Sequence, residues 1–158
     1  MNLKELKEAK ECIDSLLQDV DVLITTSDDT SIVFGMGGEP ADIAREFVNK
    51  YGLKVSALTI REAPSVLRGE WSSVAVTDDG LTYTSSAKIG LELIDRMGSG
   101  DAYDAGFLYG YLTGDVAKAV AYGDAMSAIK HSVPGDHAWV TLEEVKAHVQ
   151  RPRTKIVR

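Results

Sequence analysis

Between Ile94 and Gly114 the chain reads IDRMGSGDAYDAGFLYGYLTG, with two glycines, a serine and an aspartate directly before a long apolar run. The first turn of a helix offers N–H groups without intrahelical partners and a partial positive charge. Gly98 and Gly100 let a ligand approach the backbone closely. Together with Ser99 they suit a phosphate or another anion. Asp101 is a carboxylate at the same helix start, where it can cap the helix, ligate a metal or act as a general base. The plainer reading is a tight turn capped by Asp101, and local chemistry leaves the two readings level. The loop is not a P-loop, because no Gly-Lys-Ser/Thr follows at the required spacing. It is not a dinucleotide fingerprint either, because Tyr103 stands where the third glycine would fall.

Other candidates lie just past apolar runs with strand character, where open α/β sheets place ligands. Asp28 and Asp29 follow one such run and can contact Mg²⁺ through water, although a solvated cap is at least as good a reading. Thr59, Arg61 and Glu62 follow a second run. The planar fork of Arg61 can hold a phosphate, or it can pair with Glu62 at the surface. Gly35 to Gly38 reads as a structural turn. His131, His137 and His148 lack metal-ligand spacing, so no zinc site is expected. The single cysteine, Cys12, reads as a packing residue and excludes an internal disulfide, which fits a reducing cytoplasm.

The chain has 158 residues, of which 44% are hydrophobic and 26% charged, enough for one domain with a real core. One domain over residues 1–150 and a basic tail over residues 151–158 are expected. A net charge of -7 argues against a nucleic-acid surface, which needs clustered Lys and Arg. No signal peptide is visible, and no apolar run approaches the ~20 residues of a membrane span.

The elements that must position these groups follow from spacing. Leu3, Leu6, Ala9, Ile13 and Leu16 repeat at helical intervals, with Asn2 and Glu5 as a start signal. Val20 to Ile24 is a short apolar run typical of a buried parallel strand. Ser27, Asp28 and Asp29 end it and can cap a short helix through Phe34. Pro40 suits a first helical position, and Ile43, Ala44, Phe47, Val48 and Tyr51 form one helix face. Leu53 to Ile60 is the next strand, so strand, helix and strand make a crossover unit. Trp71 to Thr77 and Leu81 to Ser85 alternate about Asp79-Gly80, which predicts a two-residue hairpin. Gly98 to Thr113 and Asp115 to His131 are apolar on all faces and are expected to be buried helices, broken at Gly114. Thr141 and Glu144 form a capping box for a last helix with Leu142, Val145 and Val149 facing inward.

Asp95 to Ala102, followed by Ala105-Gly106-Phe107, resembles the C-terminal signature of the ribokinase (PfkB) family of carbohydrate kinases, D-T-x-G-A-G-D-x-F-x-A-G-F. The other segments fall in order. DVLITTSDDTSIVFGM is similar to the family's strand followed by an N-x-x-E segment, with Thr26 in place of Asn and Asp29 in place of Glu. LTIRE is similar to the segment near the ATP phosphates, and VPGDHAWVTLEEV to the ending of 2-keto-3-deoxygluconate kinases. The resemblance implies an α/β, three-layer ribokinase-like fold, its C-terminal half, with a mixed sheet and a β-hairpin edge.

It also implies roles. Asp101 matches the catalytic base, and Gly98, Ser99, Gly100 and the Asp101 amide match the anion hole. Thr59 and Arg61 match positions near the nucleotide phosphates, and Asp124 stands near the adenine where the family often has Asn. Asp29 matches the segment that helps position the metal. ATP, Mg²⁺ and a sugar or sugar-acid substrate are the implied ligands. Family members are roughly twice this length, of the size expected for a two-part kinase. The other half resembles the part that supplies most sugar contacts. Its absence predicts an open edge beside Asp21 to Thr25, and with it self-association or a partner half.

Overall fold

Helical spacing of apolar residues near the N-terminus yields α1, Leu3–Leu16, which tightens into a 3₁₀ turn at Leu17–Asp19. The computed structural model describes residues 3–62, 65, 68–85 and 89–150. The expected Asn2 start and the basic tail lie outside the described residues. The chain divides into two compact units, Met1–Pro64 with Gly69–Gly90, and Ser65–Arg68 with Leu91–Arg158.

In the first unit β1, Val22–Thr26, leads into α2, Ser27–Phe34. The cap is Thr26, one residue earlier than expected: its hydroxyl accepts from the Asp29 N–H at 2.9 Å. Of the three expected capping residues Asp29 takes part, its carboxylate accepting from the Thr26 hydroxyl at 2.8 Å. Then α3, Pro40–Tyr51, carries the chain to β2, Val55–Glu62, which pairs with β1 in parallel, Val22 opposite Val55 and Thr26 opposite Thr59. The crossover unit forms as its spacing requires. β3, Arg68–Thr77, pairs antiparallel with β2, and β4, Thr82–Thr84, pairs antiparallel with β3.

The turn between β3 and β4 differs from expectation. The Thr77 N–H donates to the Leu81 carbonyl and the Gly80 N–H to the Thr77 carbonyl, so Asp78, Asp79 and Gly80 form a three-residue loop. Gly80 sits at φ +84°, the left-handed residue that such loops require. The Asp79 carboxylate favours this longer form by accepting from the Leu81 N–H at 3.1 Å. β5, Ile89–Glu92, also pairs with β3, and its spacing had given no strand signal. The sheet order β1-β2-β3-β4 leaves β1 at an edge, and all five of its residues are partly exposed.

The core of this unit lies between α3 and one sheet face. Phe47, Leu53 and Leu58 are at most 1% exposed, and Ile43, Val48, Val74 and Val76 surround them. Phe34 meets Phe47 edge-on with ring centroids 5.0 Å apart.

The second unit is helical: α4, Ser99–Thr113, α5, Val116–His131, and α6, Leu142–Gln150. α4 and α5 approach through small residues. A Cβ on Gly106 would lie 2.5 Å from the Tyr122 carbonyl oxygen, and one on Gly110 would lie 2.5 Å from the Ala119 Cα. Close approach of the two backbones offsets the roughly 1 kcal/mol of helix propensity each glycine gives up. Asp115 caps α5 by accepting from the Lys118 N–H at 2.7 Å. Asp115→Ala is therefore expected to lose about 1 kcal/mol of stability, read as a lower urea midpoint at unchanged slope.

Burial departs from the sequence pattern in two places. α4 exposes Leu112 at 78%, with Leu108 and Tyr109 partly exposed beside it. In α6 only Val145 is buried, while Leu142 is half-buried and Val149 is 39% exposed, although the Thr141–Glu144 capping box forms as read. An apolar pattern shows which residues favour burial, not what covers them. No helix among the described residues is long and apolar enough to cross a membrane.

Candidate active site

The glycine loop and the start of α4 belong to the second unit. The chain enters along the His131 carbonyl, which accepts from both the Ile94 and Asp95 N–H groups at 2.9 and 3.2 Å. One Asp95 carboxylate oxygen accepts from the Met97 N–H at 3.0 Å and the other from the Gly135 N–H at 2.8 Å. These two N–H groups hold the Asp95 carboxyl below its ordinary range. Asp95 thus ties the loop to a turn 40 residues further along. Gly98 caps α4 at φ +72° and lies flat against that turn, where a Cβ would fall 1.8 Å from the Asp136 carbonyl oxygen. Glycine at this position answers to the protein's own backbone.

The next residues separate into two kinds. Ser99 is 2% exposed, and its hydroxyl donates to the Arg96 carbonyl at 2.9 Å, as does its N–H at 3.3 Å. Its polar groups therefore face the loop, not an approaching ligand. The Ala102 N–H donates to the Gly98 carbonyl at 2.9 Å. Among the described residues no hydrogen bond is made by the Gly100 and Asp101 N–H groups, as the first turn of a helix dictates. A Cβ at Gly100 would meet nothing within 4 Å, so packing does not demand glycine there. The Asp101 side chain is exposed on the same turn. An exposed carboxylate beside two available N–H donors and an open Cα can place an anion next to a base.

Asp104, one turn further, escaped the sequence reading. It is half-buried, and burial first, then the neighbouring Asp101 charge, pushes its carboxyl above the ordinary range. The i, i+3 spacing of Asp101 and Asp104 was the available signal. Asp124 lies on α5, 5% exposed. A Cβ on its neighbour Gly123 would lie 2.8 Å from the Tyr103 ring, so α5 packs closely on α4 at this point.

Asp29, Thr59 and Arg61 belong to the first unit. Thr59, 7% exposed, donates its hydroxyl to the Thr25 carbonyl across the parallel strands at 3.4 Å. Arg61 sits opposite Trp71 on β3, and its guanidinium lies over the indole with 5.6 Å to the centroid. This cation–π contact holds the fork while leaving its exposed N–H groups for an anion. Asp29 has one carboxylate oxygen committed to the Thr26 hydroxyl. No group of three or more His, Cys, Asp or Glu side chains that could hold a metal occurs among the described residues. The described residues therefore form no Mg²⁺ cage. A nucleotide that brings its Mg²⁺ on phosphate oxygens and water requires none.

Comparison with known proteins bears on the family and the fold. Residues 1–141 match the profile of the pfkB family carbohydrate kinases. The chain is 31% identical over 140 residues to the 2-dehydro-3-deoxygalactonokinase of Haloferax volcanii, an alignment covering 88% of this chain and 41% of that protein. It is 26% identical over 175 residues to the 5-dehydro-2-deoxygluconokinase of Clostridium beijerinckii, covering 96% of this chain and 50% of the relative. Among solved structures, the 2-dehydro-3-deoxygluconokinase of Thermotoga maritima superimposes with a TM-score of 0.84 at 30% identity, covering 91% of this chain and 45% of that one. A PfkB family carbohydrate kinase of Listeria grayi superimposes with a TM-score of 0.82 at 25% identity, covering 91% of this chain and 45% of that one. The fold is thus ribokinase-like α/β with a mixed sheet. The chain spans half or less of the length of these relatives. A glycine loop entering α4 in this fold, and a profile match over 1–141, show that the chain belongs to the pfkB family of carbohydrate kinases.

Proposed function

We propose that the chain is the nucleotide-side half of a kinase that phosphorylates a sugar or sugar acid of the 2-keto-3-deoxygluconate type. The observation that carries this reading is the first turn of α4: an exposed Asp101 beside the available N–H groups of Gly100 and Asp101, in a chain of this family. Asp101 takes the proton of the acceptor hydroxyl. That oxygen bonds to the γ-phosphorus of ATP, the bond to the bridging oxygen breaks, and ADP leaves with the electron pair. The N–H groups at the start of α4 stabilise negative charge on the transferring phosphoryl group, where phosphoryl transfer needs it. Gly98 and Ser99 set the loop that aims them. Arg61 and Thr59 attend the phosphates, Asp124 the adenine side and Asp29 the metal side. Dependence on ATP suits a cytoplasmic setting.

The sugar side is then supplied by a partner half, for which the edge of β1 is the available docking strand, and the same edge can pair two copies of the chain. A second reading, a nucleotide-binding module without catalysis, is favoured by Thr26, which stands where the family's metal- and phosphate-positioning segment carries Asn.

Calorimetry with ATP·Mg and a coupled assay against sugar acids separate these readings. Binding with turnover, alone or after addition of the complementary half, supports the kinase. Binding without turnover in both settings supports the module, and no binding overturns both. Within the binding arm, Arg61→Ala is expected to weaken ATP about ten-fold, the size of one charge-assisted hydrogen bond. Unchanged affinity would remove Arg61 from the phosphate site.

A further inference from the structure

Lys130 stands in the last turn of α5 with 0% of its surface exposed. A buried ammonium is costly unless it is well paired. Its Nζ donates to the Val133 carbonyl at 2.9 Å, and that is its one hydrogen bond among the described residues. A lysine at a helix C-terminus commonly bonds such a carbonyl, but that task is performed equally well at the surface. The surroundings suggest why it is buried here. The same segment supplies the His131 carbonyl that receives the Ile94 and Asp95 N–H groups, the Gly135 N–H that Asp95 accepts, and the Asp136 carbonyl against which Gly98 lies. The charge of Lys130 also reaches both carboxylates of the junction. It adds to the hold of Met97 and Gly135 on Asp95, and to that of His137 on Asp136.

We propose that Lys130 is a positioning residue for the anion site. Its buried ammonium, bonded to the Val133 carbonyl, fixes the turn from Val133 to Asp136, whose Gly135 N–H holds the Asp95 carboxylate, and so seats Gly98 and aims the N–H groups of Gly100 and Asp101. Its effect on ligand binding rests on the phosphate role proposed above for that helix start. Its effect on the loop does not.

The test uses Lys130→Met, which keeps chain length and burial. Removing the buried charge relieves its desolvation cost, which offsets the loss of the hydrogen bond to Val133. The urea midpoint is therefore expected to stay close to that of the parent. In the ligand-free chain, hydrogen exchange at the Met97, Ala102 and Gly135 amides should accelerate about ten-fold, and ATP·Mg affinity by calorimetry should fall about ten-fold. Lys130→Gln offers Val133 only a shorter, neutral donor and shows the same direction, more weakly, if the Met variant does not fold. Unchanged exchange at these amides in a folded variant overturns the proposal. So does acceleration across the whole chain with a lower midpoint, because Lys130 is then a general stabiliser. If exchange responds locally but the parent chain binds no ATP·Mg, the phosphate reading fails while the positioning of the loop stands.

Discussion

Asp101→Asn is expected to lower kcat of the assembled kinase by about 10²–10⁴-fold while ATP affinity stays within about two-fold. The carboxamide has the shape of the carboxylate but cannot take up the acceptor proton. The substitution touches little else. Asp101 is exposed, no side-chain hydrogen bond holds it among the described residues, and the α4 cap is the backbone of Gly98. Stability should therefore hold, and a loss in kcat cannot be assigned to unfolding. A residue that only bound nucleotide would raise KM for ATP instead. A second readout is available in the ligand-free chain. The Asp101 charge is the lesser of two causes that raise the Asp104 carboxyl, so removing it should move the Asp104 titration downward, toward the ordinary range. Full turnover in the Asn variant would remove Asp101 from the role of base.

Gly98→Ala is expected to have the largest effect on stability, about 2–5 kcal/mol. Two physical terms act together. A side chain at φ +72° is strained by roughly 1–2 kcal/mol. The added Cβ would also fall 1.8 Å from the Asp136 carbonyl oxygen, and backbone cannot rotate out of the way as a side chain can. One of the two segments must move, and the Asp95 bridge moves with it. Against the 5–15 kcal/mol total of an ordinary domain this is a large share, readable as a fall in urea midpoint. Gly100→Ala is the matched control. Its Cβ meets nothing within 4 Å, and alanine in a helix is favoured over glycine by up to about 1 kcal/mol. That variant should be as stable as the parent or more so, yet should bind ATP·Mg more weakly, because the new methyl group enters the space a phosphate would use. A Gly98→Ala variant as stable as the parent would show that the loop does not rest on the Asp136 turn.

The two glycines thus look alike in the sequence and differ in the fold. Gly98 is required by a neighbour 38 positions away, whereas no packing contact requires glycine at position 100. The same division runs through the whole chain. Local grammar is carried by contacts within a few residues, and those features were legible in advance. Pro40 at the first turn of α3, the Thr141–Glu144 box, the parallel pairing of β1 and β2, and the placement of Gly98 to Asp101 at a helix start all formed as their spacing requires. Family membership was legible for the same reason, since the signature is a short contiguous stretch. Where local grammar missed, a competing hydrogen bond was usually the cause. Thr26 captured the α2 cap, and the Asp79 carboxylate drew the hairpin into a three-residue loop.

Long-range matters were illegible. Nothing near Asp95 announces that its carboxylate will bridge to Gly135, nothing near Ser99 that its hydroxyl will turn inward, and nothing near Lys130 that it will be wholly buried. Spacing records which residues favour an interior, while the interior itself is made by segments brought together from far along the chain. The residue types and order of the glycine loop, and the helix that follows, were present in the linear chain. Which of its N–H groups remain available, and what holds them in place, was settled only when the turn after α5 folded back against Gly98.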